Sequence, residues 1–289
     1  MLSVIIPTYN EEKTLNFIVE DLKRVLTSLN EKHEIIVVND GSEDNTPKII
    51  SRIKGIKGIN NPYNLGYGAS IKRGIKKSLG EWILIIDADG TYPGNKIGKM
   101  LAERKNYDMV VGARTGKNVR IPFFRRPAKF IISKLANFLV GRKIPDLNSG
   151  LRIFKREIAE RFFHLFPDGF SFTTTITLAC FTNEYFVKYV PINYLRRKGK
   201  SSISPIKDFI GFNMLIVRII TYFKPLKMFS LISFSILLLA VAAYIYSFFI
   251  LGKLMDITVI VLLLASLQIF LFGMLADLIV RKKEQDLSK

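Results

Sequence analysis

Short apolar runs alternate with helically spaced segments along most of the chain, and two long uncharged runs close it. Leu2 to Pro7 predicts a short strand that ends in Thr8-Tyr9-Asn10-Glu11-Glu12. From Glu12 onward, Leu15, Ile18, Val19, Leu22, Val25, Leu26 and Leu29 fall at the spacing of one helix face. Glu34 to Val38 predicts a second buried strand, running into Asn39-Asp40-Gly41-Ser42. Asp44-Asn45-Thr46-Pro47 then supplies the cap and first turn of a helix to about Arg52. A strand near Ile56 to Ile59 leads into Asn64-Leu65-Gly66-Tyr67-Gly68-Ala69-Ser70 and a basic helix to Leu79. A helix near Lys96 to Arg104 and strands at Asp108 to Val111 and Phe186 to Ile192 continue the alternation, which argues for an α/β domain with a mostly parallel sheet.

The run Trp82-Ile83-Leu84-Ile85-Ile86 reads as a strand buried on both faces, and it enters Asp87-Ala88-Asp89-Gly90 directly. Ligands of open parallel sheets bind just past the carboxyl ends of the strands, where this pair falls. Two carboxylates one residue apart can approach one hard cation, Mg²⁺ or Mn²⁺, although Asp-Gly is also ordinary turn chemistry. Thr8 to Glu11, Asp40, Asp87 and Asp89 together form a set of polar strand ends that a parallel sheet would gather along one edge.

Beyond Pro205 the pattern changes. Pro205 to Lys224 is apolar over most of its helical circumference, with a narrow stripe of Lys207, Gly211, Arg218 and Thr221, as in a helix lying in a membrane interface. Phe229 to Leu251 carries no charge, and Ile257 to Ile279 is interrupted only by Gln268 and Asp277. Each run is long enough to span a hydrocarbon core of about 30 Å. The link Gly252-Lys253-Leu254-Met255-Asp256 allows only a hairpin, and Asp277 has Arg281 one turn on as a helix-face partner. Lys224 and Lys227 flank the first span and Arg281-Lys282-Lys283 the second, which places both ends on the cytoplasmic side. The apolar run Val4-Ile5-Ile6 stops at Pro7, too short for a signal peptide, so the amino-terminal portion is expected in the cytoplasm.

Charge adds a partner class. Lys and Arg total 43 against 24 Asp and Glu, a formal net charge of +19, which favours anionic partners. From Met109 to Pro145 there is no acid, while Arg114, Lys117, Arg120, Arg125, Arg126, Lys129, Lys134, Arg142 and Lys143 lie inside. A second basic cluster, Arg196 to Ser202, follows the strand Phe186 to Ile192. Solvated surface is the ordinary reading of such runs, but an acid-free window with interleaved apolar positions suits an anion-binding face better. The single cysteine, Cys180, excludes a disulfide framework, and His33 and His164 match no zinc spacing. Gly66-x-Gly68 lacks the third glycine of a dinucleotide fingerprint, and Gly199-Lys200-Ser201 has Tyr194 where a P-loop needs glycine.

Pro7 to Glu12, Asn39 to Ser42, Asn64 to Gly68 and Asp87-Ala88-Asp89 resemble the motifs of GT-A glycosyltransferases of family 2. Val111-Gly112-Ala113-Arg114, Ile131 to Asn137 and Asn148-Ser149-Gly150-Leu151-Arg152 resemble those of its dolichol-phosphate mannose synthase-like branch, which glycosylates polyprenyl phosphates. The resemblance, from about Leu2 to Ser202, implies a GT-A (Rossmann-like) catalytic domain over 1–204. The apolar pattern then places a juxtamembrane helix over 205–227 and a transmembrane hairpin with a basic tail over 228–289. By the same resemblance Pro7, Tyr9 and Glu11 line the nucleotide pocket, Asp40 contacts the base, and Asp87 and Asp89 hold Mg²⁺ or Mn²⁺ on the diphosphate. Arg114, Lys129 and Ser133 match the acceptor-phosphate contacts, with Arg196 in a loop closing over the site. Two departures leave the donor sugar open: Thr91 stands where the family often has Gln, and Gly199-Lys200-Ser201-Ser202 replaces a Gly-x-Ser-Lys loop.

The implied donors are GDP-mannose or a UDP-hexose, and the implied acceptor is dolichyl or undecaprenyl phosphate in a lipid bilayer, with no nucleic acid. A phosphate monoester has a second pKa near 6 and is mostly dianionic at pH 7, so no general base is required. Direct displacement would invert the anomeric centre, with cation and basic side chains neutralising two anions. A processive polysaccharide synthase is the alternative enzyme, but its Gln-x-x-Arg-Trp motif is missing, the glutamines being Gln268 and Gln285. A non-catalytic basic membrane scaffold would explain the charge and leave the strand-end acids without a role. The two spans leave a homo-oligomer open, with no Gly-x-x-x-Gly in either.

Overall fold

The computed structural model describes residues 1–115, 134, 136–138, 140–169, 171–194, 222, 224–250, 252 and 257–287. The chain divides into two compact units, Met1–Phe212 and Asn213–Lys289. The expected interfacial helix over 205–227 lies almost wholly outside the described residues.

In the first unit the strands are β1 (Leu2–Thr8), β2 (His33–Asn39), β3 (Lys57–Asn60), β4 (Trp82–Ile85), β5 (Met109–Ala113), β6 (Arg152–Lys155) and β7 (Val187–Pro191). Its helices are α1 (Leu15–Ser28), α2 (Thr46–Arg52), α3 (Tyr67–Lys77), α4 (Ile97–Glu103), α5 (Arg156–Phe162) and α6 (Phe172–Thr182). The strands form one sheet in the order β3-β2-β1-β4-β6-β5-β7. All pairings are parallel except those of β6, which runs antiparallel to both β4 and β5. The mostly parallel α/β sheet expected from the apolar pattern is thus present.

Strand alternation sorts the core. Leu2, Val4 and Ile6 face a cluster with Leu15, Val19 and Leu22 of α1 and Met100 of α4. On the opposite face Ile5 meets α3 at Gly74, where an added Cβ would lie 2.6 Å from the Ile5 side chain. Every residue of β1 is buried, as expected of a central strand covered by helices on both sides. Chain order reverses between β1 and its neighbours β2 and β4, the switch point at which such sheets open a crevice at their carboxyl ends.

Two elements differ from what the residue pattern announces. β6 carries Arg152, fully buried, opposite Ile85 of β4 and Val111 of β5. Its guanidinium donates to the Ser149 carbonyl, to the Thr173 carbonyl at 2.8 Å and to the Thr177 hydroxyl at 3.1 Å. Helix α6 reads Phe-Thr-Thr-Thr-Ile-Thr, a β-branched run, yet it is helical and buried on all sides. Thr175 and Thr177 satisfy their hydroxyls by donating to carbonyls one turn back, at 3.0 and 2.8 Å.

The second unit contains α7 (Pro225–Phe249) and α8 (Ile257–Leu287), both long and apolar enough to cross a membrane. They pack against each other through small side chains spaced by seven residues. Beyond Pro225 at its start, Ser233, Ala240 and Ser247 are the buried positions within α7, and Val259, Ser266 and Gly273 are buried in α8. Ser233 Oγ donates to the Ser266 carbonyl at 2.8 Å, and Ser266 Oγ donates to the Ser233 carbonyl at 3.1 Å. Phe, Leu and Ile side chains cover the outward faces. The Asp277–Arg281 pair forms as expected, with Nε 2.7 Å from Oδ2.

Candidate active site

The loop after β1 and the loop after β2 are stitched together reciprocally. The Asn10 amide donates to Ser42 Oγ at 3.0 Å, and the Glu43 amide donates back to Asn10 Oδ1 at 2.9 Å. The Glu12 amide donates to Asp44 Oδ2 at 3.2 Å, and the Asn45 amide to Glu12 Oε2 at 3.1 Å. Asn10 adopts φ of 55°, a conformation Asn tolerates because its short polar side chain bonds locally. Tyr9 is half-exposed in this loop, whereas Pro7 is buried in β1. Glu11 is buried, its amide donating to Thr46 Oγ1 at 3.0 Å and its Oε2 accepting from Thr14 Oγ1 at 3.0 Å.

Asp40, buried at the end of β2, organises the next loop. Its Oδ1 accepts from Asn61 Nδ2 at 2.7 Å and from the Leu65 amide at 3.0 Å, while Oδ2 accepts from the Gly66 amide at 2.9 Å. Three of roughly four acceptor sites on the carboxylate are thereby used within the protein, and about one remains for a ligand. Gly66 and Gly68 let this loop lie against the turn at 167–169: a Cβ on Gly68 would stand 2.1 Å from the Pro167 carbonyl oxygen. The Ala69 amide donates to the Asp168 carbonyl at 2.9 Å, and Lys72 pairs with the Asp168 carboxylate.

Asp87 and Asp89 follow β4. Asp87 Oδ1 accepts from the Tyr67 hydroxyl at 2.8 Å. Asp89, buried, accepts on Oδ1 from the Thr91 amide at 3.1 Å and the Thr91 hydroxyl at 2.6 Å. Thr91, at the position where Gln is often found, therefore fixes the second carboxylate. Burial, and then the charge of Asp87, push both the Tyr67 and Tyr92 phenols above their ordinary range, so each keeps its proton. Among the described residues no group of three or more His, Cys, Asp and Glu converges. Asp87 and Asp89 would supply two carboxylate oxygens to a cation, a donor set that suits Mg²⁺.

Arg114, just past β5, meets a partner that the residue pattern did not single out. Its Nε donates to Asp146 Oδ2 at 2.8 Å and its Nη2 to Asp146 Oδ1 at 2.9 Å, while its own amide donates to Oδ2 at 2.9 Å. The Tyr194 ring lies 5.3 Å from the guanidinium, and Tyr194 meets Tyr92 edge-on at 5.6 Å. Burial opposes the charge, but the Asp146 bonds outweigh it, and the Arg114 pKa rises above its ordinary value. Nη1 makes no bond among the described residues, which leaves donors for an anion. Asp146 is the first acid after the acid-free window, and that position was the available signal. Asp146→Ala is expected to cost about 3 kcal/mol by stranding a mostly buried guanidinium, measurable as a lower denaturation midpoint. Lys129, Ser133 and Arg196 lie outside the described residues.

Residues 3–163 match the family model described as glycosyl transferase family 2, and residues 224–281 match the GtrB C-terminal hairpin. The chain is 29% identical over 220 residues to a dolichyl-phosphate hexose transferase of Haloferax volcanii, covering 75% of this chain and 93% of that protein. It is 30% identical over 164 residues to an undecaprenyl-phosphate 4-deoxy-4-formamido-L-arabinose transferase of Proteus mirabilis, covering 55% of this chain but 50% of that protein. Over 213 residues it is 27% identical to the low-salt glycan biosynthesis hexosyltransferase Agl6 of H. volcanii, covering 72% of this chain and 51% of that one. The match thus takes in about half the length of the latter two relatives. Among solved structures, glucosyl-3-phosphoglycerate synthase from Mycobacterium tuberculosis with Mn²⁺ and UDP superimposes with a TM-score of 0.58 at 17% identity, covering 76% of this chain and 77% of that one. S. aureus TarS 1–349 with UDP-GlcNAc gives 0.56 at 21% identity, covering 76% and 66%. Both share the GT-A architecture of the sheet unit.

Proposed function

The chain belongs to glycosyl transferase family 2, and we propose that it moves a hexose from a nucleotide sugar to a polyprenyl phosphate, dolichyl or undecaprenyl, at the cytoplasmic face of a membrane. One observation carries this reading. A sheet edge bearing Asp40, Asp87 and Asp89 is continuous in one chain with two helices long and apolar enough to cross a bilayer. A water-soluble acceptor needs no such hairpin; a lipid acceptor has to be met at the membrane. The printed names of two relatives, a dolichyl-phosphate and an undecaprenyl-phosphate transferase, support the same acceptor class.

In this reading the catalytic domain spans 1–204, followed by an interfacial helix over 205–227 and the hairpin over 228–289. Pro7, Tyr9, Glu11 and Asp40 face the nucleotide. Asp87 and Asp89 hold Mg²⁺ or Mn²⁺, which when bound supplies charge neutralisation to the departing diphosphate. Arg114, with Lys129, Ser133 and Arg196, receives the acceptor phosphate. That phosphate attacks without a general base and the anomeric configuration inverts. Lys224, Lys227 and Arg281 to Lys283 at the outer ends of the two helices favour the cytoplasmic side for the catalytic unit.

The test uses the full chain in detergent with radiolabelled GDP-mannose, UDP-glucose and UDP-N-acetylglucosamine. Dolichyl and undecaprenyl phosphates are offered with each. One donor is expected to give organic-extractable label that requires added Mg²⁺ or Mn²⁺ and is acid-labile, as a glycosyl phosphate is. No extractable label with any donor and either lipid would overturn the acceptor assignment.

A further inference from the structure

The segment Asn148-Ser149-Gly150-Leu151-Arg152 and the tyrosine of Asn64 to Gly68 have no role in the reading above, yet both converge on Asp87. Gly150 is buried, and its Cα face lies flat on the Asp87 carboxylate: an added Cβ would stand 2.3 Å from Oδ2 and 2.6 Å from both Cγ and Oδ1. Any side chain there would turn Asp87 aside. Gly150 is itself held, since its amide donates to the buried Tyr92 hydroxyl at 2.7 Å. The preceding Ser149 donates through Oγ to the Gly112 carbonyl at 2.5 Å, and its carbonyl accepts from Arg152 in the middle of the sheet. From the other direction Tyr67, the first residue of α3, donates its hydroxyl to Asp87 Oδ1 at 2.8 Å. One carboxylate is thus pressed across its face by backbone and pinned at one oxygen by a phenol.

We infer that Tyr67 and Gly150 are positioning residues that set the Asp87 carboxylate in the orientation a divalent cation requires. The inference rests on the reading of Asp87 as a cation ligand. Its physical content is pre-organisation. A carboxylate free to rotate must be ordered each time the cation binds, whereas one already fixed by outer partners need not be, and loss of such partners typically lowers metal affinity about 10- to 100-fold.

The experiment measures Mn²⁺ binding to the purified full chain by the loss of the free-ion electron paramagnetic resonance signal, with UDP and with GDP. Wild type, Tyr67→Phe, Gly150→Ala and Asp87→Asn are compared, each with its denaturation midpoint. Tyr67→Phe is expected to bind Mn²⁺ about 10-fold more weakly with a near-parental midpoint, and Gly150→Ala more weakly still. If Gly150→Ala fails to fold, Tyr67→Phe alone decides. Wild-type affinity in Tyr67→Phe while Asp87→Asn loses binding would overturn the clamp and leave the cation site standing. Undiminished Mn²⁺ binding in Asp87→Asn, or none in wild type, would overturn the cation reading and the clamp with it.

Discussion

Asp89→Asn is expected to lower sugar transfer about 100- to 1000-fold while leaving the fold intact. The amide keeps an oxygen to accept from the Thr91 amide and hydroxyl, so the turn after β4 stays closed. What disappears is one of two negative charges at the strand end. A cation there would be held by one carboxylate, and charge on the departing diphosphate would go uncompensated at the moment of bond cleavage. Steady-state transfer assayed across a Mn²⁺ series separates two cases. Rescue at high metal means that Asp89 serves affinity alone; a depressed plateau means that it also sets the geometry of the bound cation. Parental turnover at every metal concentration would remove the pair from the mechanism.

The second large effect is expected at the loop that follows β2. Gly41 follows Asp40 with φ of +69°, and a Cβ there would stand 2.4 Å from the Tyr63 carbonyl carbon and 2.7 Å from the Asn64 nitrogen. The left-handed conformation alone costs a residue with a Cβ about 1–2 kcal/mol, and forcing apart packed backbone adds roughly 1–3 more. Gly41→Ala is therefore expected to destabilise the sheet unit by about 2–5 kcal/mol, read as a drop in its denaturation midpoint. The displaced segment is the one whose Leu65 and Gly66 amides bind Asp40, so the loss should extend to nucleotide. Weakened UDP or GDP binding in protein that is still folded is the companion measurement. A midpoint unchanged from wild type would show that the two loops do not press on each other in solution.

How much of this was legible beforehand varied by residue type. The central strands were readable because they are covered on both faces and consist of uninterrupted Val, Ile and Leu. Their ends were readable because Asp, Asn and Gly cannot continue such a run. β6 was hidden by Arg152, a residue whose burial is explained only by carbonyls and a hydroxyl brought from Ser149, Thr173 and Thr177. α6 was hidden by its threonines, whose strand preference yields once Thr175 and Thr177 bond to carbonyls one turn back and Thr174 to Asn148. At the site, Asp87 and Asp89 stood out through their spacing. Asp146 did not, because its role depends on a chain reversal that brings it back over Arg114. Tyr67 was likewise invisible as a partner of Asp87, since the two come together only when α3 packs on β1 and β2 and β4 pairs alongside β1.

The hairpin repeats one register on both of its arms: Ser233, Ala240 and Ser247 on one, Val259, Ser266 and Gly273 on the other. Because a helix turns about 100° per residue, a single residue inserted within either arm would swing every later seam position out of the contact. It would also bring Phe or Leu inward, where Ser233 and Ser266 now bond to each other's carbonyls. The helix interiors are therefore expected to tolerate substitution but not a change of length.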